Sequence, residues 1–269
     1  MGPIDLILLC LLGVVIGAVS ALLGVGGGFF YVPALVLFFG LDPRIAVGTS
    51  LAIITCTTLS ASIGYGLRGQ VLVKSAAYLA IPGMVFAGIG ALITVFLPSH
   101  LLVAIFCVVL LFMGIKMIYR RFPLVFPLLI GPCRNESYGR PPAERSTLCI
   151  YPVHLVSWGS LAGFMSGLTG IGGGIVNVPA LTIAGIPIHF AVATSAAVIL
   201  ITSLFATGTH LALGHVSVGI FIAIAIGAIL GAQAGVRLSP RTPPRTLELA
   251  VGTLLILVVA ALVISNSLP

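Results

Sequence analysis

The chain has 269 residues, of which 59% are hydrophobic and only 6% are charged, and its formal net charge is +7. A soluble domain carries about 25% charged residues, so this composition excludes a water-soluble globular protein. The basic residues lie in the gaps between long apolar runs, which is the placement that membrane orientation requires, so the positive charge does not indicate nucleic-acid binding. We therefore predict an all-α polytopic membrane protein surrounded by a lipid bilayer.

The first apolar run, residues 4–23, is long enough for one membrane-spanning helix. A glycine cluster at residues 24–28 should break that helix. Residues 29–39 then form a segment of about 16 Å, which is too short to cross a bilayer. Non-helical backbone at membrane depth is tolerated only where it is buried in protein or lines a cavity. The sequence therefore predicts a re-entrant or broken hairpin with the glycine cluster as its turn.

Three further apolar runs complete the first half and predict helices at about 45–66, 75–97 and 101–119. Residues 120–150 are the only long polar stretch, and they are rich in Pro, Gly and Arg. The second half then repeats the order, with predicted helical segments at about 153–169, 175–185, from 191 onward, 216–236 and 247–265. We predict a first membrane repeat in residues 1–119, a cytoplasmic basic linker in 120–150 and a second membrane repeat in 151–269.

One motif relates the two halves directly. The pattern Gly-x-Gly-Gly-Gly followed by Val-Pro-Ala-Leu begins at Gly24 and again at Gly170, about 146 positions later. The helix after each copy opens with a Thr-Ser pair, at residues 49–50 and 194–195. A glycine cluster that leads into a short apolar segment once per half is typical of a duplicated membrane transporter.

The positions of the basic residues favour one topology. With the linker in the cytoplasm, an even number of crossings per half would place 8 of the 12 Lys and Arg residues inside, and an odd number would place 11 inside. Arg237, Arg241 and Arg245 make the difference. The positive-inside rule therefore favours inverted repeats, each with a glycine-broken helix pair and three transmembrane helices, and both termini outside.

The glycine clusters predict a binding site for an anion. A helix N-terminus presents unpaired N–H groups and partial positive charge, and glycines allow a ligand to approach the backbone. In inverted halves the two short helices would begin close together near the midplane. Tyr31 and Asn177 occupy equivalent positions and could line the path. The candidate binding residues are Gly26, Gly27, Gly28, Tyr31, Thr49, Ser50, Gly172, Gly173, Gly174, Asn177, Thr194 and Ser195. The alternative is that the glycines serve helix packing and that the hydroxyls bond backbone within their own helices.

His210 is the ionisable residue of most interest within a predicted span, and it could carry a coupling proton. The alternative is a hydrogen-bonded histidine at a helix end, since Tyr65 occupies the equivalent place in the first half. A serine nucleophile at Ser166 with His210 as its base lacks the Gly-x-Ser-x-Gly elbow, so we do not expect an enzyme. The cysteines fit no zinc pattern, and no metal or cofactor is expected.

The doubled glycine motif, with a Thr-Ser helix after each copy, resembles the sulfite exporter TauE/SafE family of membrane permeases. The resemblance covers nearly the whole chain apart from residues 120–150. It implies export of a small sulfur-containing anion, namely sulfite, thiosulfate or an organosulfonate. An inside-negative potential expels a monoanion with about 2.3 kcal/mol per 100 mV, so a simple alternating-access carrier would suffice. The alternatives are a membrane assembly or scaffold protein without transport, and an importer of another inorganic anion. The oligomeric state is left open, with a homo-oligomer among the options.

Overall fold

The computed structural model describes residues 3–118, 152–184, 186–239, 253 and 256–262, and its regular structure within those ranges is entirely helical. The named helices are α1 Pro3–Leu23, α2 Gly28–Phe39, α3 Pro43–Gly66, α4 Val73–Ile93, α5 Ser99–Ile118, α6 Pro152–Thr169, α7 Gly174–Ile183, α8 Ile188–Ala212 and α9 Val218–Leu238. Residues 256–262 are also helical. The predicted linker at 120–150 and most of the predicted last helix at 247–265 lie outside the described residues.

Five of these helices, α1, α3, α4, α8 and α9, are long and apolar enough to cross a membrane. The predicted helical membrane fold is therefore confirmed. Helix α3 begins at Pro43, two residues earlier than predicted, because Asp42 caps it. The Asp42 carboxylate accepts a hydrogen bond from the Arg44 backbone N–H at 2.9 Å, and a proline at the first helical position suits the fixed φ of that residue.

Each half of the chain packs its outer helices against the other half. Helix α1 lies along α9, and α4 lies along α6. Glycines allow the close approach, since a Cβ on Gly17 would meet the Ala228 backbone, and one on Gly159 would meet the Leu79 backbone. Close backbone contact through small residues is the usual way in which membrane helices associate without a hydrophobic driving force.

The two longest helices, α3 and α8, lie side by side at the centre and run in opposite directions. Thr49, near the start of α3, accepts a hydrogen bond at 2.9 Å from the backbone N–H of Ser217, which follows the end of α8. Thr194, near the start of α8, accepts one at 3.1 Å from the N–H of Leu72, which follows the end of α3. The equivalent helices α3 and α8 are therefore antiparallel. The side of the bilayer on which each end lies stays a prediction.

Candidate functional site

Both glycine clusters form turns with the same backbone conformation. Helix α1 ends at Leu23 and α2 begins at Gly28, so the predicted break in the helix is present. The left-handed positions have φ values of 66°, 89° and 82° in the first turn and 73°, 89° and 73° in the second. Only glycine adopts such angles without a steric penalty. These positions are Gly24, Gly26 and Gly27 in the first turn, and Gly170, Gly172 and Gly173 in the second.

The two turns meet halfway along the central helices. A Cβ atom built on Gly26 or on Gly172 would lie 3.3 Å from the Cγ2 atoms of both Ile54 and Ile199. Ile54 is the twelfth of the 24 residues of α3, and Ile199 is the twelfth of the 25 residues of α8. Because α3 and α8 span the full thickness of the fold, the turns lie at about its mid-depth.

The short helices α2 and α7 both begin at this meeting point. The Gly27 carbonyl accepts hydrogen bonds from the N–H groups of Phe30 and Tyr31, and Gly173 does the same in the second half. Within the described residues, no hydrogen bond uses the N–H groups at positions 26–28 or 172–174 as donors. Two helix N-termini with free amide groups therefore lie against each other, and this is a backbone arrangement suited to a negatively charged ligand.

The basic side chains that the structure describes lie away from the turns. Among the described residues, Arg44 and Lys74 are the second residues of their helices, Arg237 is in the last turn of α9, and Arg68 follows the end of α3. Arg44 and Arg68 donate hydrogen bonds at 2.7 Å to the backbone carbonyls of Leu97 and Val236, respectively. The positive potential at the turns therefore comes from backbone dipoles.

The Thr-Ser pairs hold the turns in place. The Ser50 hydroxyl donates to the carbonyl of Gly170 at 3.0 Å, and the Ser195 hydroxyl donates to the carbonyl of Gly24 at 2.7 Å. The sequence predicted these hydroxyls as donors to the ligand, but each gives its single proton to the turn of the opposite repeat. These bonds cross between repeats, so Ser50 and Ser195 do not bond the backbone of their own helices as the packing alternative expected. Contact of either serine with a ligand stays a prediction.

Thr49 and Thr194 also bond the opposite repeat, but their hydroxyls accept hydrogen bonds from loop N–H groups, as described above. Each lies one residue before its serine, so neighbouring residues bond a loop and a glycine turn of the other repeat. Thr49 and Thr194 therefore tie the two repeats together in this conformation.

Tyr31 and Asn177 remain the strongest side-chain candidates for contact with a ligand. Both are buried, at 0% and 1% exposure. Both amide atoms of Asn177 have no hydrogen-bond partner, and the Tyr31 hydroxyl makes no hydrogen bond of ordinary geometry, although the Thr57 side chain interacts with it. Buried polar atoms are nearly always hydrogen-bonded, and an unpaired one costs about 1–3 kcal/mol. Equivalent positions of both repeats thus carry buried polar groups, and the one in the second repeat lacks a protein partner.

One further polar group, Ser166, was considered from the sequence only as a nucleophile and not as part of the binding site. The Ser166 hydroxyl is buried without a hydrogen-bond partner, and Ser166 lies four residues before Gly170. Its equivalent in the first repeat is Ser20, whose Cβ would be 3.0 Å from a Cβ on Gly27. The repeat itself gave the signal, since Ser20 and Ser166 have the same spacing from their turns.

His210 occupies the place that Tyr65 has in the first repeat. The Tyr65 hydroxyl donates to the carbonyl of Ala21 at 2.8 Å, and His210 Nε2 lies 3.1 Å from the carbonyl of Gly167. Because the Ser166 hydroxyl makes no hydrogen bond, the two residues do not form a serine–histidine pair. Within the part of the chain that the structure describes, no group of three or more His, Cys, Asp or Glu side chains could hold a metal ion.

Known proteins are similar to this chain over most of its length. The model of the sulfite exporter TauE/SafE family matches residues 9–262, which include both glycine turns and the central helices. The chain belongs to the sulfite exporter TauE/SafE family. It is 30% identical over 236 residues to the probable membrane transporter protein YunE from Bacillus subtilis (strain 168), covering 82% of this chain and 84% of YunE. It is also 30% identical over 234 residues to the probable membrane transporter protein MJ0441 from Methanocaldococcus jannaschii, covering 81% and 80%. No solved structure matches the chain significantly.

Proposed function

We propose that this protein is a permease that exports a small sulfur-containing anion, namely sulfite, thiosulfate or an organosulfonate, by alternating access. Membership of the TauE/SafE family and the description of two relatives as probable membrane transporters support transport as the activity. The observation that carries the proposal is the meeting of two free helix N-termini at mid-depth, with no Lys or Arg side chain beside them in the described residues.

The charge of the site suits a small oxyanion. Each helix N-terminus is equivalent to about half an elementary positive charge, so two of them give about one. That charge balances a monoanion without a Lys or Arg side chain in the site. Removing such a charged side chain from water into the membrane would cost free energy of desolvation. A sulfite or sulfonate group presents several oxygen acceptors, which matches several amide donors that converge from two turns.

The antiparallel course of α3 and α8 supports alternating access through inverted repeats. In such a carrier one repeat rocks against the other around a central site. The bonds from Ser50 and Ser195 to the opposite turns are the contacts that such a movement would have to change. An inside-negative potential would then drive a monoanion outward.

Flux measurements in proteoliposomes test the proposal. Labelled sulfite, thiosulfate, an alkyl sulfonate and sulfate would be loaded into liposomes with a lumen-negative potential, and efflux would be compared with that from protein-free liposomes. We expect faster efflux of at least one sulfur anion. Efflux of every anion at the protein-free rate would contradict the permease function and favour the scaffold alternative. Uptake of an inorganic anion without efflux would favour the importer.

Glycine variants locate the site. Gly27→Val and Gly173→Val place a β-branched residue at φ values of 82° and 73°, which such residues do not adopt without strain. We expect efflux to be abolished in protein that still inserts into the membrane. Gly208→Val is the matched control, because nothing lies within 4 Å of a Cβ at that position. Wild-type efflux in both turn variants would show that the glycine turns are not the site.

A further inference from the structure

The two repeats have the same backbone hydrogen bond at residues 65–70 and 210–215 but carry different side chains there. Tyr65 and Gln70 of the first repeat correspond to His210 and His215 of the second. In the first repeat, Gln70 donates its backbone N–H to the carbonyl of Tyr65 at 3.2 Å. In the second, His215 donates its N–H to the carbonyl of His210 at 2.9 Å. The side chains of Tyr65 and His210 both bond an equivalent carbonyl, as described above. The first repeat thus makes the same local structure without a histidine, so the fold does not require the imidazoles.

The hydrogen bond of His210 determines its tautomer. A backbone carbonyl can only accept, so His210 Nε2 carries the hydrogen that it shares with Gly167. In the neutral ring Nδ1 then holds a free lone pair. Nδ1 of His210 is buried and has no hydrogen-bond partner, and the same is true of Nδ1 of His215. The centroids of the two rings are 5.7 Å apart.

The pair extends from the end of the fold towards its centre. His215 lies in the loop between α8 and α9, beside Asp42 and Arg44 at the start of α3. His210 is fully buried in the last turn of α8, and its partner Gly167 lies three residues before the second glycine turn. The two neighbouring imidazole rings therefore lie between the α8–α9 loop and Gly167, which precedes the second glycine turn.

We propose that His215 and His210 form a proton relay that lets a proton move together with the transported anion. This inference rests on the proposed function, because it concerns the same central turn. A proton that enters the central site with the anion binds the free Nδ1 of His210, passes to His215 and is released to water at the loop. The imidazolium of His210 keeps its Nε2–H bond to Gly167. Its positive charge then lies beside the Gly167 carbonyl, three residues before the second glycine turn, and attracts the bound anion.

The surrounding charges suit a relay that holds one proton at a time. Burial lowers the pKa of His215, Arg44 lowers it further, and Asp42 raises it in part. His215 is therefore neutral at neutral pH and gives up a proton readily. Two imidazolium rings at 5.7 Å would repel each other, which disfavours double protonation. Among the described residues, no other charged group perturbs either ring.

The test measures proton and anion movement together. Proteoliposomes would contain a pH-sensitive dye and labelled thiosulfate or an alkyl sulfonate, which do not titrate near neutral pH. We expect the lumen to become more alkaline as the anion leaves, with about one proton for each anion. Anion efflux without a change in luminal pH would overturn the relay and leave the permease intact. No anion efflux at all would overturn both.

Exchange of the pair for the first-repeat residues identifies the path. The double variant His210→Tyr, His215→Gln reproduces Tyr65 and Gln70, and we expect its ratio of protons to anions to fall at least tenfold. His189→Gln is the control, because His189 is an exposed histidine at the other end of α8. An unchanged ratio in the double variant would overturn the assignment of the relay to these residues. The wild-type ratio remains decisive even if the double variant does not fold.

Discussion

Replacing Gly28 with alanine would test the contact between the two turns. Gly28 is the first residue of α2, and a methyl group there would overlap the Gly170 carbonyl and lie 2.8 Å from Ile171 Cα. Ordinary contact begins at 3.4 Å, so the Ile171 backbone would have to retreat by at least 0.6 Å, the difference between 3.4 and 2.8 Å. Because the Gly170 carbonyl is held by Ser50, that movement also strains a buried hydrogen bond.

Overpacking of this kind typically costs about 1–3 kcal/mol. Gly28 does not have a positive φ, so alanine adds no backbone strain, and the cost reports the overlap with the second turn together with that with Ile54 Cδ1, which would lie 2.7 Å away. We expect Gly28→Ala to lower the free energy of unfolding of the detergent-solubilised protein by about 1–3 kcal/mol and to reduce efflux, because the overlap pushes the two turns apart. Efflux in proteoliposomes and a thermal unfolding curve measure the two effects.

The matched control is Gly208→Ala. Nothing lies within 4 Å of a Cβ at that position on α8, so it adds a methyl group without an overlap. A helical Gly→Ala change without contacts stabilises by about 0.5–1 kcal/mol, and we expect wild-type efflux. If Gly28→Ala transports and unfolds like Gly208→Ala, the turns do not press against each other in the functional protein, and the reasoning is refuted.

Three further predictions concern the serines, the topology and the loop histidine. Ser50→Ala or Ser195→Ala removes the donor to a buried turn carbonyl and should cost about 1–3 kcal/mol of stability, whereas unchanged thermal unfolding would show that these bonds contribute nothing. In a background without native cysteines, His100→Cys should react with an impermeant maleimide from outside and Arg241→Cys from inside, and outside labelling of the second would rule out the inverted topology. Folding lowers the pKa of His215, so its contribution to stability is complete above about pH 6.5 and is lost as the pH falls. The His215→Gln variant should therefore lose less stability than the wild type on acidification. Parallel curves of stability against pH for the two proteins would contradict this.

The broken hairpins could be predicted because local physics determines them. Consecutive glycines permit left-handed backbone, and a short apolar segment cannot cross a bilayer alone. Helix ends were predicted less well. Helix α4 ends at Ile93 and not at 97, and residues 94–97 form a turn that leads to Pro98. The residue before a proline is disfavoured in helical conformation, so the proline was a usable signal.

The partners of the central hydroxyls could not be predicted from the sequence. The Thr-Ser pairs are polar groups in apolar helices, and this alone suggests either a ligand or a local backbone bond. Their actual partners lie in the other repeat, for example 120 residues away for Ser50. Such a bond depends on how the two repeats pack against each other, which no local pattern contains. The free amide group of Asn177 becomes recognisable only when the surrounding partners are known.

A structure with a heavy-atom sulfonate tests the central claim most directly. Crystals grown with 2-bromoethanesulfonate would show the ligand by the anomalous signal of bromine. We predict the sulfonate between the two turns, with its oxygens about 3 Å from amide nitrogens at positions 26–28 and 172–174. A sulfonate bound elsewhere in the protein, with the two turns still in direct contact, would contradict the account.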